Sequence, residues 1–285
     1  MKSVLEAATA AQALSLALSH GRGQLGTDDP IREAKLLLAL AAGVSVDRLP
    51  HLPADVFTDD LMSRYQEFLE RRAKGEPISH IRGTRAFWTH DFLVSSDVLD
   101  PRPETETLVE AALEEPFERV LDLGTGSGCI LLTLLAERPA ASGVGVDISE
   151  AALSVAVRNR AALGLEARAE LRVSDWFASV EGVFNLIVAN PPYVDAAVYA
   201  HLSREVRLFE PKVALTPGPV GTAPYRIIAR DAARVLTQGG RLLVEIGYDQ
   251  APEVVAIFSA AGFSNICVRQ DLGGKDRVVD ARKRA

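Results

Sequence analysis

A basic excess and long apolar runs are missing from this chain, and cysteine is scarce. Lys and Arg total 31 against 38 Asp and Glu, a net charge of −7. A broad nucleic-acid-binding face needs the opposite balance, because phosphates are neutralised by clustered cations. Cysteine occurs only at Cys129 and Cys267. Two thiols exclude a disulfide framework and a multi-cysteine metal site, and their apolar surroundings suit small buried side chains. No apolar run approaches the roughly 20 residues that span a bilayer. The Ala-rich N-terminal stretch carries Glu6 and Gln12, so it lacks the continuous apolar core of an export signal. A reducing, cytoplasmic setting is the simplest reading, with no membrane and no nucleic-acid partner. None of the five histidines, His20, His51, His80, His90 and His201, falls in a motif, and no metal is expected.

Hydrophobic residues make up 48% of 285, enough for one large domain and a smaller one. Residues 1–75 read as a small helical bundle. Val4, Leu5, Ala8, Ala11, Leu14 and Leu18 recur at helical spacing, and Gly21 and Gly23 then end the element. Asp28-Asp29-Pro30 starts a helix that Gly43 stops, and Thr58 caps another through Leu61, Tyr65 and Leu69 to Gly75. Residues 76–100 predict a β-hairpin connector, with Ile78, Ile81, Phe87, Trp88 and Phe92 set between turn residues.

From residue 101 to 285 strands and helices alternate. Strands are predicted at Arg119–Leu123, Gly143–Asp147, Ala169–Val173, Phe184–Ala189, Arg241–Ile246, Asn265–Arg269 and Arg277–Asp280. Such alternation builds a parallel, doubly wound sheet. Only Gln270 to Asp276 joins the last two strands, too little chain for a parallel crossover, so they pair antiparallel.

The stretch Val120-Leu121-Asp122-Leu123-Gly124-Thr125-Gly126-Ser127-Gly128-Cys129 is a strand entering a glycine turn before a helix. Glycines there allow positive φ and let a ligand touch the backbone. The dinucleotide spacing would need glycine where Cys129 stands, which counts against a pyrophosphate site. Asp147 ends the next strand, where a carboxylate can accept both ribose hydroxyls of a nucleoside; Ser149 suits a helix cap. Asp175 ends the third strand and can accept from an adenine amino group. Trp176 either packs on the ring or fills the core, and the sequence leaves both open.

The fourth strand stops at Asn190-Pro191-Pro192-Tyr193. Two prolines end the ladder and stiffen the backbone. The Asn190 side chain and the Pro191 carbonyl become two fixed acceptors at the edge where α/β sheets bind ligands, and Tyr193 adds a flat face.

With Gly124, Thr125, Gly126, Ser127, Gly128, Asp147, Asp175, Trp176 and Asn190–Tyr193 in this order, the chain resembles a class I S-adenosylmethionine (SAM) methyltransferase. Further segments narrow the likeness: Glu76-Pro77-Ile78, Asp100-Pro101-Arg102-Pro103-Glu104-Thr105-Glu106, Glu210-Pro211, Glu245-Ile246-Gly247-Tyr248 and Asp271-Leu272-Gly273-Gly274. From Glu76 onward the chain resembles the HemK/PrmC-type protein-(glutamine N5) methyltransferases. That resemblance implies a Rossmann-like sheet of seven strands with an antiparallel last strand and SAM as cofactor. The helical residues 1–75, compatible with the family's N-terminal domain but without a nucleotide motif, are expected to contact the substrate, and a monomer is expected. The implied partner is a class 1 peptide chain release factor, methylated on the glutamine of its Gly-Gly-Gln motif. The resemblance implies that Asn190, Pro191, Pro192 and Tyr193 carry catalysis, with Asn190 also touching the cofactor. Asn-Pro-Pro-Tyr is shared with adenine-N6 and guanine-N2 nucleic-acid methyltransferases, which form the alternative. One departure is Thr216–Gly221, where Val220 stands near the family's usual acid; it bears on that loop and on substrate fit, not on the fold.

Overall fold

The chain parts into two units between Gly83 and Thr84 in the computed structural model, which describes residues 9–284. This corrects the expected boundary near residue 75 and the separate connector. Residues Ile78–Arg82 form a short helix of the first unit, and the hairpin counts with the second.

The first unit contains helices α1 (Ala10–Gln24), α2 (Pro30–Ala42), α3 (Asp59–Ala73) and α4 (Ile78–Arg82). Its starts follow capping chemistry: Asp29 accepts from the Arg32 N–H at 3.1 Å, and Thr58 from the Leu61 N–H at 3.2 Å. Gly43 closes α2 at φ 66°. Leu61, Tyr65 and Leu69 line one face of α3 and are buried with Leu37 and Leu38 of α2. The spacing read from Val4, Leu5 and Ala8 lies outside the described residues.

Gly21 and Gly23 do not end α1, which continues to Gln24. Gly21 is there because the helices approach closely: a Cβ on it would lie 1.9 Å from the Tyr65 hydroxyl oxygen. Alanine for glycine inside a helix normally gains about 0.5–1 kcal/mol. Here Gly21→Ala is expected to destabilise the unit by about 1–3 kcal/mol, the cost of overpacking against a buried ring. Chemical denaturation followed by far-UV circular dichroism reads the sign.

In the second unit, β1 (Thr84–Phe87) and β2 (His90–Leu93) form an antiparallel hairpin, followed by α5 (Glu106–Leu113). The main sheet and its flanking helices then run β3 (Arg119–Leu123), α6 (Cys129–Glu137), β4 (Ser142–Asp147), α7 (Glu150–Ala162), β5 (Ala169–Val173) and β6 (Phe184–Ala189). Short helices α8 (Ala196–Tyr199), α9 (Arg204–Phe209) and α10 (Lys212–Leu215) precede α11 (Ala223–Val235), β7 (Leu236–Glu245), α12 (Ala251–Ala260), β8 (Ser264–Gln270) and β9 (Asp276–Arg282). Among the described residues the seven-stranded sheet has the order β5-β4-β3-β6-β7-β9-β8. β3 to β7 pair in parallel, and β9 runs antiparallel between β7 and β8. β7 starts before the expected Arg241, because its pairing with β6 resumes after an irregularity that follows Leu236.

Apolar layers cover both faces. Val120, Leu186, Val188 and Leu243 face α5 and α6, while Leu121, Ile187, Leu242 and Val244 face α11 and α12. A sheet buried on both sides explains why its strands read as near-continuous apolar runs. Cys129 is buried, but Cys267 is exposed on the edge strand β8, against the sequence expectation. No helix among the described residues is long and apolar enough to cross a membrane.

Candidate active site

The strand order reverses between β3 and β6, which makes their shared carboxyl edge the switch point of the sheet. Leu123 and Ala189 are register partners there. The glycine turn that follows one and the Asn190 segment that follows the other are therefore neighbours. A cleft of about 390 Å3 opens over this edge, lined by Gly124–Ser127, Asp147, Asp175, Trp176, Asn190 and Pro192. Small-molecule sites run from ~300 to 1,000 Å3.

The turn is built for backbone exposure. Gly124, Gly126 and Gly128 have φ of 71°, 56° and 82°. A Cβ on Gly124 would meet nothing within 4 Å, and one on Gly126 only the Gly124 carbonyl at 4.0 Å. Their missing side chains leave room above the turn. Gly128 differs: it does not line the cleft, and a Cβ on it would press on Leu132 at 2.9 Å. Its role is close packing at the start of α6.

Asp147 accepts from the Gly126 and Ser149 N–H groups, each at 2.9 Å. It thus ties the end of β4 to the turn. A carboxylate offers about four lone-pair sites, so acceptor capacity remains for a ligand. Burial raises its pKa, and the backbone N–H groups oppose that. Ser149 caps α7, as its position suggested. Asp175 is exposed beside the cleft. Trp176 lines the cleft and also packs on the core; it holds a left-handed φ of 49°.

Asn190 and Pro192 line the cleft, but Pro191 and Tyr193 are not among its lining residues. The Tyr193 hydroxyl donates to Glu245 Oε1 at 3.3 Å, and its ring packs on the core. The hydroxyl is thus engaged with protein, while the side chain as a whole is half-buried. Asn190 Nδ2 donates to Thr105 Oγ1 at 3.2 Å.

The sequence gives no sign of how the groups that hold this site are paired. Asp122, fully buried, accepts from the Thr125 hydroxyl at 2.6 Å and so fixes the turn. Asn159 donates to the Ser127 carbonyl at 2.8 Å and to the Leu93 carbonyl at 3.0 Å, joining the turn to the hairpin. Arg102 pairs with both oxygens of buried Glu210, which ties together two motif segments distant in sequence. Near Val220, which is exposed, Asp195 accepts from the Gly221 N–H. A Cβ on Gly221 would lie 2.3 Å from the Tyr193 carbonyl oxygen, so this loop is seated on the Asn-Pro-Pro-Tyr segment.

Residues 85–210 match the model of the methyltransferase small domain, and residues 17–83 that of the PrmC N-terminal domain. The release factor glutamine methyltransferase of Cereibacter sphaeroides is 52% identical over 90% of this chain and 92% of its own length. That of Rhodospirillum rubrum is 44% identical over 98% of this chain and 88% of its own. The chain belongs to the release factor glutamine methyltransferases. A solved methyltransferase from Pyrococcus furiosus shares the fold, with a TM-score of 0.55 at 16% identity, covering 76% of this chain and 99% of that one. Membership makes the chain an enzyme that uses S-adenosylmethionine. The residues fit that cofactor: the turn is open where side chains would stand, and Asp147 has acceptor capacity left over.

Burial pushes Asp122 and Glu245 of this glutamine methyltransferase up to about 7 each, against about 4 in an unfolded chain. The folded state therefore holds protons that the unfolded state has released. Stability from these groups is complete below about pH 4 and is lost as pH rises through about 7. Trp88 and Trp176 both lie in the second unit, so their fluorescence follows its unfolding. Denaturation midpoints should fall between about pH 5.5 and 8, and Asp122→Asn, which cannot ionise, should flatten the fall by about 2 kcal/mol. An unchanged slope would remove Asp122 as a cause.

Proposed function

We propose that this chain methylates the side-chain amide nitrogen of the glutamine in the Gly-Gly-Gln motif of class 1 peptide chain release factors, in the cytoplasm. The observation that carries this reading is the Asn190 amide: its Nδ2 is engaged with Thr105, which leaves Oδ1 as an acceptor beside the glycine turn. In the bound state Gly124–Ser127 face the cofactor, Asp147 accepts from its ribose, and Asp175 and Trp176 flank its adenine. S-adenosylmethionine, when bound, supplies an electrophilic methyl group.

An amide nitrogen is a poor nucleophile because its lone pair is delocalised. Asn190 Oδ1 and the Pro191 carbonyl accept its two N–H groups, fix its approach and draw electron density towards nitrogen. This is positioning plus electrostatics. The surplus proton passes to water, so no strong base is needed. The N-terminal unit, which carries no nucleotide motif, is assigned to recognition of the protein substrate.

The test is transfer of radiolabel from SAM to release factor, followed by mass spectrometry of the labelled peptide. Label should appear on the release factor and vanish when its Gly-Gly-Gln glutamine is replaced. Label on DNA or RNA, with none on release factor, would select the nucleic-acid branch of the Asn-Pro-Pro-Tyr enzymes.

A further inference from the structure

Three elements distant in sequence meet behind Asn190. Thr105 ends the short turn before α5, Glu245 is the last residue of β7, and Asn190 follows β6. Thr105 and Glu245 are 2% and 1% exposed. The Thr105 hydroxyl donates to Glu245 Oε2 at 2.6 Å, and Asn190 Nδ2 lies 3.2 Å from Thr105 Oγ1.

Donor counting fixes the sense of this chain. An ionised carboxylate only accepts, and a hydroxyl has one proton to give. Once Thr105 has given that proton to Glu245, its oxygen offers only lone pairs towards Asn190. The Asn190 atom in contact must then be the Nδ2 donor, and Oδ1 must face away from it. Were the Thr105 proton free, it could turn to Asn190 Oδ1 and consume the acceptor that the substrate amide needs. Glu245 Oε1 also accepts from the Tyr193 hydroxyl at 3.3 Å, so one carboxylate holds both ends of the Asn-Pro-Pro-Tyr segment. Burial pushes the Glu245 carboxyl up to about 7, opposed by the Thr105 hydrogen bond and the charge of Arg277, so the ionised form prevails above that pH.

We propose that Thr105 and Glu245 are positioning residues that set which end of the Asn190 amide is presented to the substrate. The proposal rests on the glutamine-methylation reading above; Thr105 also lines the cleft, and the role assigned to it and to Glu245 is in turnover, which SAM affinity separates from cofactor binding.

The experiment compares Thr105→Val, Thr105→Ser and Glu245→Gln with the unaltered enzyme at about pH 8, above the range where Glu245 takes up its proton. Release factor methylation gives kcat and KM, and calorimetry gives SAM affinity. Thr105→Val keeps the side-chain shape and removes the hydroxyl; kcat should fall about tenfold to hundredfold, the cost of a misplaced acceptor. KM for release factor and SAM affinity should stay within about twofold. Thr105→Ser should keep most of the kcat. Glu245→Gln leaves one acceptor for two hydroxyl donors, so kcat should fall while SAM affinity holds.

A Thr105→Val enzyme with unaltered kcat, or a Thr105→Ser enzyme as slow as Thr105→Val, would overturn the inference. So would a parallel loss of SAM affinity. If the unaltered chain labels no release factor, the functional reading fails instead. The relay is then read from the Asn190 side-chain N–H resonances, identified by their loss in Asn190→Ala. They should move in Thr105→Val and stay in place in Thr105→Ser; resonances indifferent to both changes would overturn the relay as well.

Discussion

Asn190→Ala is expected to raise the barrier to methyl transfer by about 2–4 kcal/mol, as removal of one preorganised hydrogen-bonding group does elsewhere. The substitution deletes the Oδ1 acceptor and leaves the Pro191 carbonyl to hold the amide alone. Its effect belongs in kcat, because Gly124–Ser127 and Asp147 do not depend on Asn190 for their contacts. Thr105 keeps Glu245 as partner but loses the Asn190 donor, a secondary cost to stability of about 1 kcal/mol. Turnover on release factor and SAM affinity by calorimetry separate the two. A loss of SAM affinity as large as the loss of kcat would place Asn190 in cofactor binding rather than in catalysis.

What the sequence could reveal divides by the range of the forces involved. Strands β3 and β6 match the expected limits to the residue, since central strands covered on both faces demand apolar runs; the edge strand β5 matches as well, with apolar and charged residues alternating. The antiparallel end followed from the short link after Gln270. Local chemistry was legible too: Asp29, Thr58 and Ser149 cap the helices they precede. Glycine was ambiguous because it serves opposite needs. At Gly43 it ends a helix, while at Gly21 it lets a helix run close to Tyr65. Residues Ile78–Arg82 read as strand-like from two isoleucines, yet the stretch from Pro77 to Gly83 forms one helical turn too short to show its period.

The sequence pointed to part of the cleft's lining. Gly124–Ser127, Asp147, Asp175, Trp176, Asn190 and Pro192 come together at one edge. Their supports do not announce themselves, because Thr105 meets Glu245 across 140 positions and Arg102 meets Glu210 across 108. Such pairs have no periodicity, and only the folded sheet brings them into range. Tyr193 shows the same limit from the other side. Its place in a motif suggested a substrate contact but gave no sign that the buried carboxylate of Glu245 takes its hydroxyl.

The second large effect is expected at Asp147, where Asp147→Ala should weaken SAM binding by about 3 kcal/mol, on the order of a hundredfold, as for two lost hydrogen bonds to a charged acceptor. Two causes can produce that loss. Asp147 holds the Gly126 N–H and so shapes the turn; its remaining lone pairs are assigned to the ribose hydroxyls. A SAM analogue lacking the 2′-hydroxyl distinguishes them through a double cycle. If Asp147 touches the ribose, the analogue binds the unaltered protein less well than SAM does, and Asp147→Ala abolishes that difference. If Asp147 acts only through the turn, SAM and the analogue lose affinity equally on substitution, and the hydroxyl's contribution survives. Additivity within about 0.5 kcal/mol would therefore remove the ribose assignment, while leaving the carboxylate its structural place between β4 and the turn.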